Sequence, residues 1–251
     1  MRELELHLVA ECHRRCAYCP QDVCRGALAK HGITDNMTVA ELLAILHHAS
    51  EGGPLTVTLA GFAEPMQHPD FFTFVRRIYN RTRRIRLFTT GDFLDAADIP
   101  WLALRTDMVR IHVCSLDAPV WRHVERVKRI RNFQFVVIKD PRNEEFKAIR
   151  KQLRDMGVKP LVIAMDHRCG HVEPQELTTC PVRCTKKAPI AFPTGLTISC
   201  CNDFAMETVL GNLVEQPWSQ LRHDWLKQQQ QTPSDMICFR NCVYAARMEA
   251  Q

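Results

Sequence analysis

At 251 residues the chain is long enough for one large α/β domain, or one domain with a small appendage. Hydrophobic residues at 46% and charged residues at 24% exclude bulk disorder. A net charge of +5 is too mild to demand nucleic acid and too mixed to be a basic tail. The start, Met1-Arg2-Glu3-Leu4-Glu5, interleaves acids where a secretory h-region needs apolar residues, and no apolar run reaches membrane-spanning length. The expectation is a cytoplasmic chain without a membrane partner. Twelve cysteines cannot persist there as disulfides, so metal ligation is the expected use.

Short β-branched runs alternate with helical stretches through residue 164. Strands are expected at 4–9, 55–59, 85–89, 108–114, 133–138 and 160–164. Thr38 with Glu41 three residues on reads as a capping box opening one helix, and another runs from about Asn143 to Gly157 as its C′ residue. Six strand–helix units without a nucleotide-binding glycine fingerprint point to an α/β fold of the partial (β/α)6, TIM-like barrel type. Its chemistry would gather at the C-terminal strand ends. The pattern breaks after Ala164, so the expected division is a core of residues 1–165 and a small cysteine-rich unit of 166–251. In the second unit a hairpin is expected at 189–192 and 196–199 around Pro193-Thr194-Gly195, then a helix opening near Pro217. Six of the twelve cysteines fall in the last 72 residues, a stretch that builds little core and would gain from a metal staple.

Cys12, Cys16 and Cys19 form a CxxxCxxC in the loop after the first strand. Three thiolates do not fill a tetrahedral zinc site, but they suit a 4Fe–4S cluster with one iron left open. The competing reading is a zinc knuckle that borrows His13 or Cys24.

Glu11-Cys12-His13-Arg14-Arg15-Cys16-Ala17-Tyr18-Cys19-Pro20 resembles the signature of the radical S-adenosylmethionine (SAM) superfamily. Gly61-Phe62-Ala63-Glu64-Pro65 with His68-Pro69-Asp70 resembles its GGEP…HPD segment, with Ala63 in place of the commoner glycine. Thr89-Thr90-Gly91 stands where many members have TNG, and Ser115-Leu116-Asp117 is similar to their SLD segment. The resemblance implies that the open iron chelates SAM and that backbone acceptors around Gly61, Ala63 and Glu64 meet its ammonium. It further implies that Tyr18 contacts adenine and that Thr90, Ser115 and Asp117 lie at the nucleoside or carboxylate. The chemistry implied is reductive cleavage to a 5′-deoxyadenosyl radical that abstracts a substrate hydrogen, with an electron donor such as flavodoxin or ferredoxin.

Cys180-x3-Cys184, Gly195-x4-Cys200-Cys201 and Cys238-x3-Cys242 resemble the SPASM and twitch auxiliary domains of that superfamily. With no cysteine from 202 to 237, six C-terminal cysteines suffice for one auxiliary 4Fe–4S cluster and not two. The candidate ligands are Cys180, Cys184, Cys200, Cys238 and Cys242, and a structural zinc in the same thiols is the alternative. Weaker signals are Asp166-His167-Arg168-Cys169-Gly170-His171 as a metal-friendly linker and Arg76 to Arg86 as a basic stretch. Lys139 and Asp140 end strand five where substrate or SAM carboxylate would sit. Asp203 is a candidate acid/base near the auxiliary cluster, and Cys114 reads as an inert strand residue.

The leading expectation is a radical SAM oxidoreductase of the dehydrogenase type, acting on a small molecule and using the auxiliary cluster as electron acceptor. Twitch-type dehydrogenases of aminocyclitols are similar in size. The alternatives are a maturase acting on a ribosomal peptide, disfavoured because strand one begins by residue 4, and a non-catalytic zinc or iron–sulfur protein. The ring-forming enzyme of molybdopterin synthesis is set aside because Arg247-Met248-Glu249-Ala250-Gln251 lacks its C-terminal double glycine.

Overall fold

The computed structural model describes residues 3–51, 53–164, 188–199, 201 and 203–231. Six strands form where the sequence leads one to expect them, with ends shifted by a residue or two. They are β1 (Glu3–His7), β2 (Thr56–Ala60), β3 (Arg84–Thr89), β4 (Met108–His112), β5 (Phe133–Lys139) and β6 (Leu161–Ala164). Each pairs in parallel with the next in chain order. Parallel neighbours need crossovers, and the crossovers carry α1 (Gln21–Lys30), α2 (Val39–Ser50), α3 (Phe71–Tyr79), α4 (Asp98–Arg105), α5 (Val124–Val127) and α6 (Phe146–Asp155).

Local chemistry sets these bounds. Thr38 accepts from the Glu41 amide while the Glu41 carboxylate accepts from the Thr38 amide, so α2 opens on the expected capping box. The chain leaves α6 through Gly157 at φ +76°, the left-handed conformation expected of a C′ residue.

Period two then sorts the strand side chains. Leu4, Leu6, Val57, Leu59, Ile85 and Leu87 are buried and join the apolar stripes of the helices in one core. In α3 the stripe is Phe71, Phe74, Val75 and Ile78, each contributing roughly 1.5–3 kcal/mol by burial. The opposite face carries Glu5, His7, Thr58, Arg86, Arg110 and Gln134. Parallel strands covered on both faces read as apolar runs; these alternate with charge, so the second face is kept for something other than packing.

After β6 the described chain returns as β7 (Ile190–Ala191), β8 (Leu196–Ile198) and β9 (Val209–Asn212), followed by α7 (Trp218–Gln231). The expected hairpin is present around Pro193–Gly195, but β7 also pairs in parallel with β1, and β9 extends the hairpin. The result is a nine-stranded sheet, β6-β5-β4-β3-β2-β1-β7-β8-β9. Gly195 has φ +88°, and a Cβ there would lie 2.1 Å from Asn212 Oδ1, so the turn admits only glycine. Two bonds tie this segment to α2: the Thr194 amide donates to Glu41 (2.9 Å), and His48 Nδ1 bonds the Leu213 carbonyl (2.8 Å). Among the described residues no helix is long and apolar enough to cross a membrane.

His7 ends β1 on the polar face yet is 1% exposed, wedged between Phe62 and Phe192. Its Nδ1 accepts from the Phe62 amide at 2.9 Å, which requires that nitrogen to be unprotonated. Burial lowers its pKa from 6.5 to about 3. The unfolded chain therefore takes up a proton below pH 6.5 that the folded chain refuses, so stability is full above 6.5 and is lost as pH falls towards 3. Denaturant titrations should show a pH 4–6 slope steeper in the wild type than in His7→Gln by up to ~1.4 kcal/mol per pH unit. Equal slopes would contradict this placement.

Candidate functional site

Parallel strands deliver all their C-terminal ends to one edge, and the loops leaving β1 to β4 hold the candidate residues. The loop after β1 carries Cys12, Cys16 and Cys19, none of them in a disulfide. It is fastened to the loop after β2 by side chains. Gln67 accepts from the His13 amide (2.8 Å) and donates to the Glu11 carbonyl (3.1 Å), and Gln21 donates to the Phe62 carbonyl (2.7 Å). Gly61 has φ +100°, and a Cβ there would lie 2.5 Å from His7 Nδ1, so the second loop passes directly over the end of β1.

Glu64 is 2% exposed and takes four hydrogen bonds. One oxygen accepts from the Met66 amide (2.9 Å) and Thr89 Oγ1 (2.6 Å). The other accepts from the Thr90 amide (2.6 Å) and Thr90 Oγ1 (2.9 Å). Burial pushes its pKa above the ordinary carboxylate value, and the four donors offset that only in part. Both oxygens must accept at once, which a carboxylate does, and this joins the loops after β2 and β3.

Asp92, after β3, accepts from His13 Nε2 (2.6 Å) and from Arg14 through Nε and Nη2. Burial opposes its ionisation, but the bonds from Arg14 and His13 outweigh it and hold the carboxyl below its ordinary range. Arg14 in turn donates to Ser115 Oγ after β4 (3.3 Å). Four loops are thus joined through Glu64 and Asp92.

These loops and all six parallel strands border one cavity of about 410 Å³. Cys12, Cys16, Cys19, Gly61, Ala63 and Glu64 line it, as do Tyr18 and Thr90. Tyr18 packs against Val136 and Ile138 of β5. Cys114 lies beside Cys16, and the hydrogen bond between the thiols brings Cys16 down to about 7 against the opposing effect of burial. Cys201 and Phe204 reach the same cavity from the C-terminal segment, with Phe204 stacked 4.0 Å from Phe62. A cleft of about 490 Å³ at the opposite end of the sheet, against Lys128, Arg131 and Lys159, holds no thiol.

Three thiols bordering one cavity fit the donor set of a 4Fe–4S cluster. Each thiolate of a 4Fe–4S cluster grips its own iron, so the thiols must border a space and not meet at a point. Among the described residues no three His, Cys, Asp or Glu side chains converge as single-ion ligands. Of the fourth ligands the zinc reading would borrow, His13 is engaged by Asp92, while Cys24 is buried on α1 near Cys19 and Cys12, its thiol pushed up to about 12 by burial and by those neighbours.

Several expected site residues lie elsewhere. Lys139 is exposed, and the alternation of β5 puts Ile138 on the cavity and Lys139 on the helix side with Val137. Asp140 pairs with Arg142 (2.7 Å) and caps the turn after β5. Asp203 is fully buried and accepts from the Glu207 amide, the Thr208 amide and Thr208 Oγ1 at 3.1, 2.7 and 2.5 Å. That is the work of a turn clamp. Asp117 is exposed and outside the cavity lining. Cys180, Cys184, Cys200, Cys238 and Cys242, with the 166–171 segment, lie outside the described residues. Arg14, Asp92 and Cys114 were not anticipated as site residues. For Cys114 the signal was available, because Arg110, His112 and Cys114 alternate onto one face.

No family model and no curated protein matches the sequence. Solved structures do match. BtrN in complex with AdoMet and 2-DOIA superposes with a TM-score of 0.61 at 17% identity, covering 92% of this chain and 86% of BtrN. The chain shares that fold. Histidine-tagged anSMEcpe with bound AdoMet gives 0.62 at 14% identity over 87% of this chain and 76% of that one. Streptococcus suis SuiB bound to precursor peptide SuiA gives 0.62 at 10% over 89% of this chain and 64% of SuiB, so the chain spans less than two thirds of that relative. At these identities the likeness is one of fold, and any shared chemistry must be argued from this chain's own residues.

Glu64→Gln tests the join directly. An amide would turn NH2 donors against the Met66 or Thr90 amides, and leaving buried donors unmatched costs about 2–3 kcal/mol. Urea denaturation should show that loss; a change below about 0.5 kcal/mol would contradict the four-donor geometry.

Proposed function

We propose that the chain is a radical SAM enzyme that oxidises a small polar substrate, its open sheet serving as a partial (β/α)6 barrel. The observation that carries this reading is the meeting of three thiols, none in a disulfide, with the 61–64 loop, Thr90 and Arg14 at one cavity on the C-terminal strand ends, with Ser115 held at its edge by Arg14. The likeness to structures solved with AdoMet supports it.

Cys12, Cys16 and Cys19 would hold a 4Fe–4S cluster. When bound, such a cluster supplies one-electron reduction of the SAM sulfonium, giving methionine and a 5′-deoxyadenosyl radical that takes a hydrogen atom from substrate. The protein's own residues do the positioning. Glu64 holds the loop whose backbone acceptors at Gly61 and Ala63 would meet the SAM ammonium. Arg14, kept charged by Asp92, and Ser115 are placed for the SAM carboxylate. Buried Tyr18 offers its ring to the adenine, and Phe62, Phe204 and Ile138 exclude water.

An auxiliary 4Fe–4S cluster on Cys180, Cys184, Cys200, Cys238 and Cys242 would supply the acceptor for the second electron of a dehydrogenase-type oxidation. The substrate's first electron leaves with the hydrogen atom taken by the 5′-deoxyadenosyl radical, and the substrate radical sheds a proton to solvent as it passes on the second. The separate electron that cleaves SAM would come from a flavodoxin or ferredoxin in the cytoplasm. Lys139 and Asp203 are left out of this machinery because one faces away from the cavity and the other clamps its own turn. The share covered, 92% of this chain and 86% of BtrN, supports a BtrN-like reading, and SuiB and anSMEcpe, each solved with peptide, keep the peptide-modifying one as second choice.

Anaerobic reconstitution should yield about eight irons per chain with the auxiliary cluster, or about four without it. On dithionite reduction the protein should release 5′-deoxyadenosine and methionine from SAM. A Cys12→Ala/Cys16→Ala/Cys19→Ala variant should lose that activity and about four irons. Stoichiometric zinc, or intact SAM after reduction of the iron-loaded wild type, would overturn the reading.

A further inference from the structure

Buried or half-buried arginines need counter-charges, because a guanidinium taken out of water keeps its charge and loses its solvation. Among the described residues on the cavity side that rule is obeyed with one exception. Arg14 is paired with Asp92, Arg142 with Asp140, and Arg86 with Glu3 (3.3 Å). Arg110, on β4, has no carboxylate within ion-pair distance among the described residues. It lies next to Arg86, which adds repulsion, and burial together with that neighbour lowers its pKa. Its partners are neutral: Nε donates to Gln134 Oε1 at 3.1 Å, and the guanidinium lies 5.2 Å over the Phe88 ring. The Nη1 and Nη2 donors have no hydrogen-bond partner among the described residues. Phe88 stacks on His112 as well (6.2 Å), so the aromatic ring holds the guanidinium plane against the strand.

Arg110 also lines the cavity bordered by the three cysteines and the 61–64 loop. On β4 it lies two residues before the strand's last residue, His112, deeper in the sheet than Ser115, which follows the strand. A planar fork with two outer donors unfilled matches the bidentate geometry of a carboxylate or phosphate.

We propose that Arg110 anchors an anionic group of the substrate, so that the molecule oxidised in this cavity is a small carboxylic acid or phosphate ester and not a neutral polyol or a simple amine. This rests on the reading of the cavity as a SAM and substrate site.

The test is binding, read by ligand-observed NMR on the reconstituted protein saturated with SAM. The probes are propionate, methyl phosphate and the uncharged propionamide. Saturable binding of one anion or both is expected, with propionamide at least tenfold weaker; whichever anion binds tighter names the source of the charge. Arg110→Gln should weaken the bound anion at least tenfold, and Arg110→Lys should recover part of the loss. Should Arg110→Gln fail to fold, phenylglyoxal labelling of the wild type decides: Arg110 should be modified, and the bound anion should protect it. Propionamide binding as well as the acids, no binding of either anion, unchanged binding in Arg110→Gln, or displacement of the anion by SAM would each overturn the anchor. SAM cleavage is scored separately on the wild type. Anion binding without cleavage strikes the enzyme reading and leaves the anchor standing, whereas cleavage without anion binding strikes the anchor alone.

Discussion

Six parallel strands running side by side place every C-terminal end on one edge of the sheet, and the rest of the molecule follows from that. Period-two alternation gives one face to the helices and leaves the other with Glu5, Arg86, Arg110 and Gln134, charged and polar groups that no packed core would accept unpaired. The loops leaving the first four strands then have to share a small volume. Cys12, Gly61, Thr90 and Ser115 are far apart in the chain and meet only because of this geometry.

Proximity alone does not hold loops in register. That work falls to two carboxylates. Glu64 joins the loops after β2 and β3 through four donors, and Asp92 joins those after β1 and β3 through His13 and Arg14. Hydrogen bonds to a buried charge contribute about 1.5–3 kcal/mol each, against about 0–1 kcal/mol for an exposed pair such as Lys151–Asp155. The same polar groups that would weaken an ordinary core therefore stiffen this one, provided each donor and acceptor is matched. Arg110 stands out against that background as a cavity-lining arginine with no carboxylate within ion-pair distance among the described residues.

Much of the frame was legible in the sequence. β-Branched runs located all six parallel strands, the Thr38–Glu41 box placed α2, and Gly195 marked its turn. The cysteine spacing and the 61–65 segment located the cavity. What escaped has physical causes. The face on which a terminal strand residue lies depends on where the strand starts, so Lys139 was expected on the cavity that Ile138 occupies. Asp203 looks like a free acid in a string of letters, and only the fold shows Thr208 and Glu207 closing on it. The Arg14–Asp92 pair spans 78 positions and no local pattern encodes it. The helix α1 and strand β9 lack strong periodicity and form because the sheet and the second apolar cluster give them a surface.

The central claim is that Cys12, Cys16 and Cys19 leave one iron open towards the 61–64 loop. Pulsed electron–nuclear double resonance on the reduced protein, with SAM labelled at its amine nitrogen and carboxylate oxygens, measures this most directly. Hyperfine couplings from both labels to the cluster, retained when the C-terminal cysteines are replaced, are the expected result. A reduced cluster that shows no coupling to either label would contradict it.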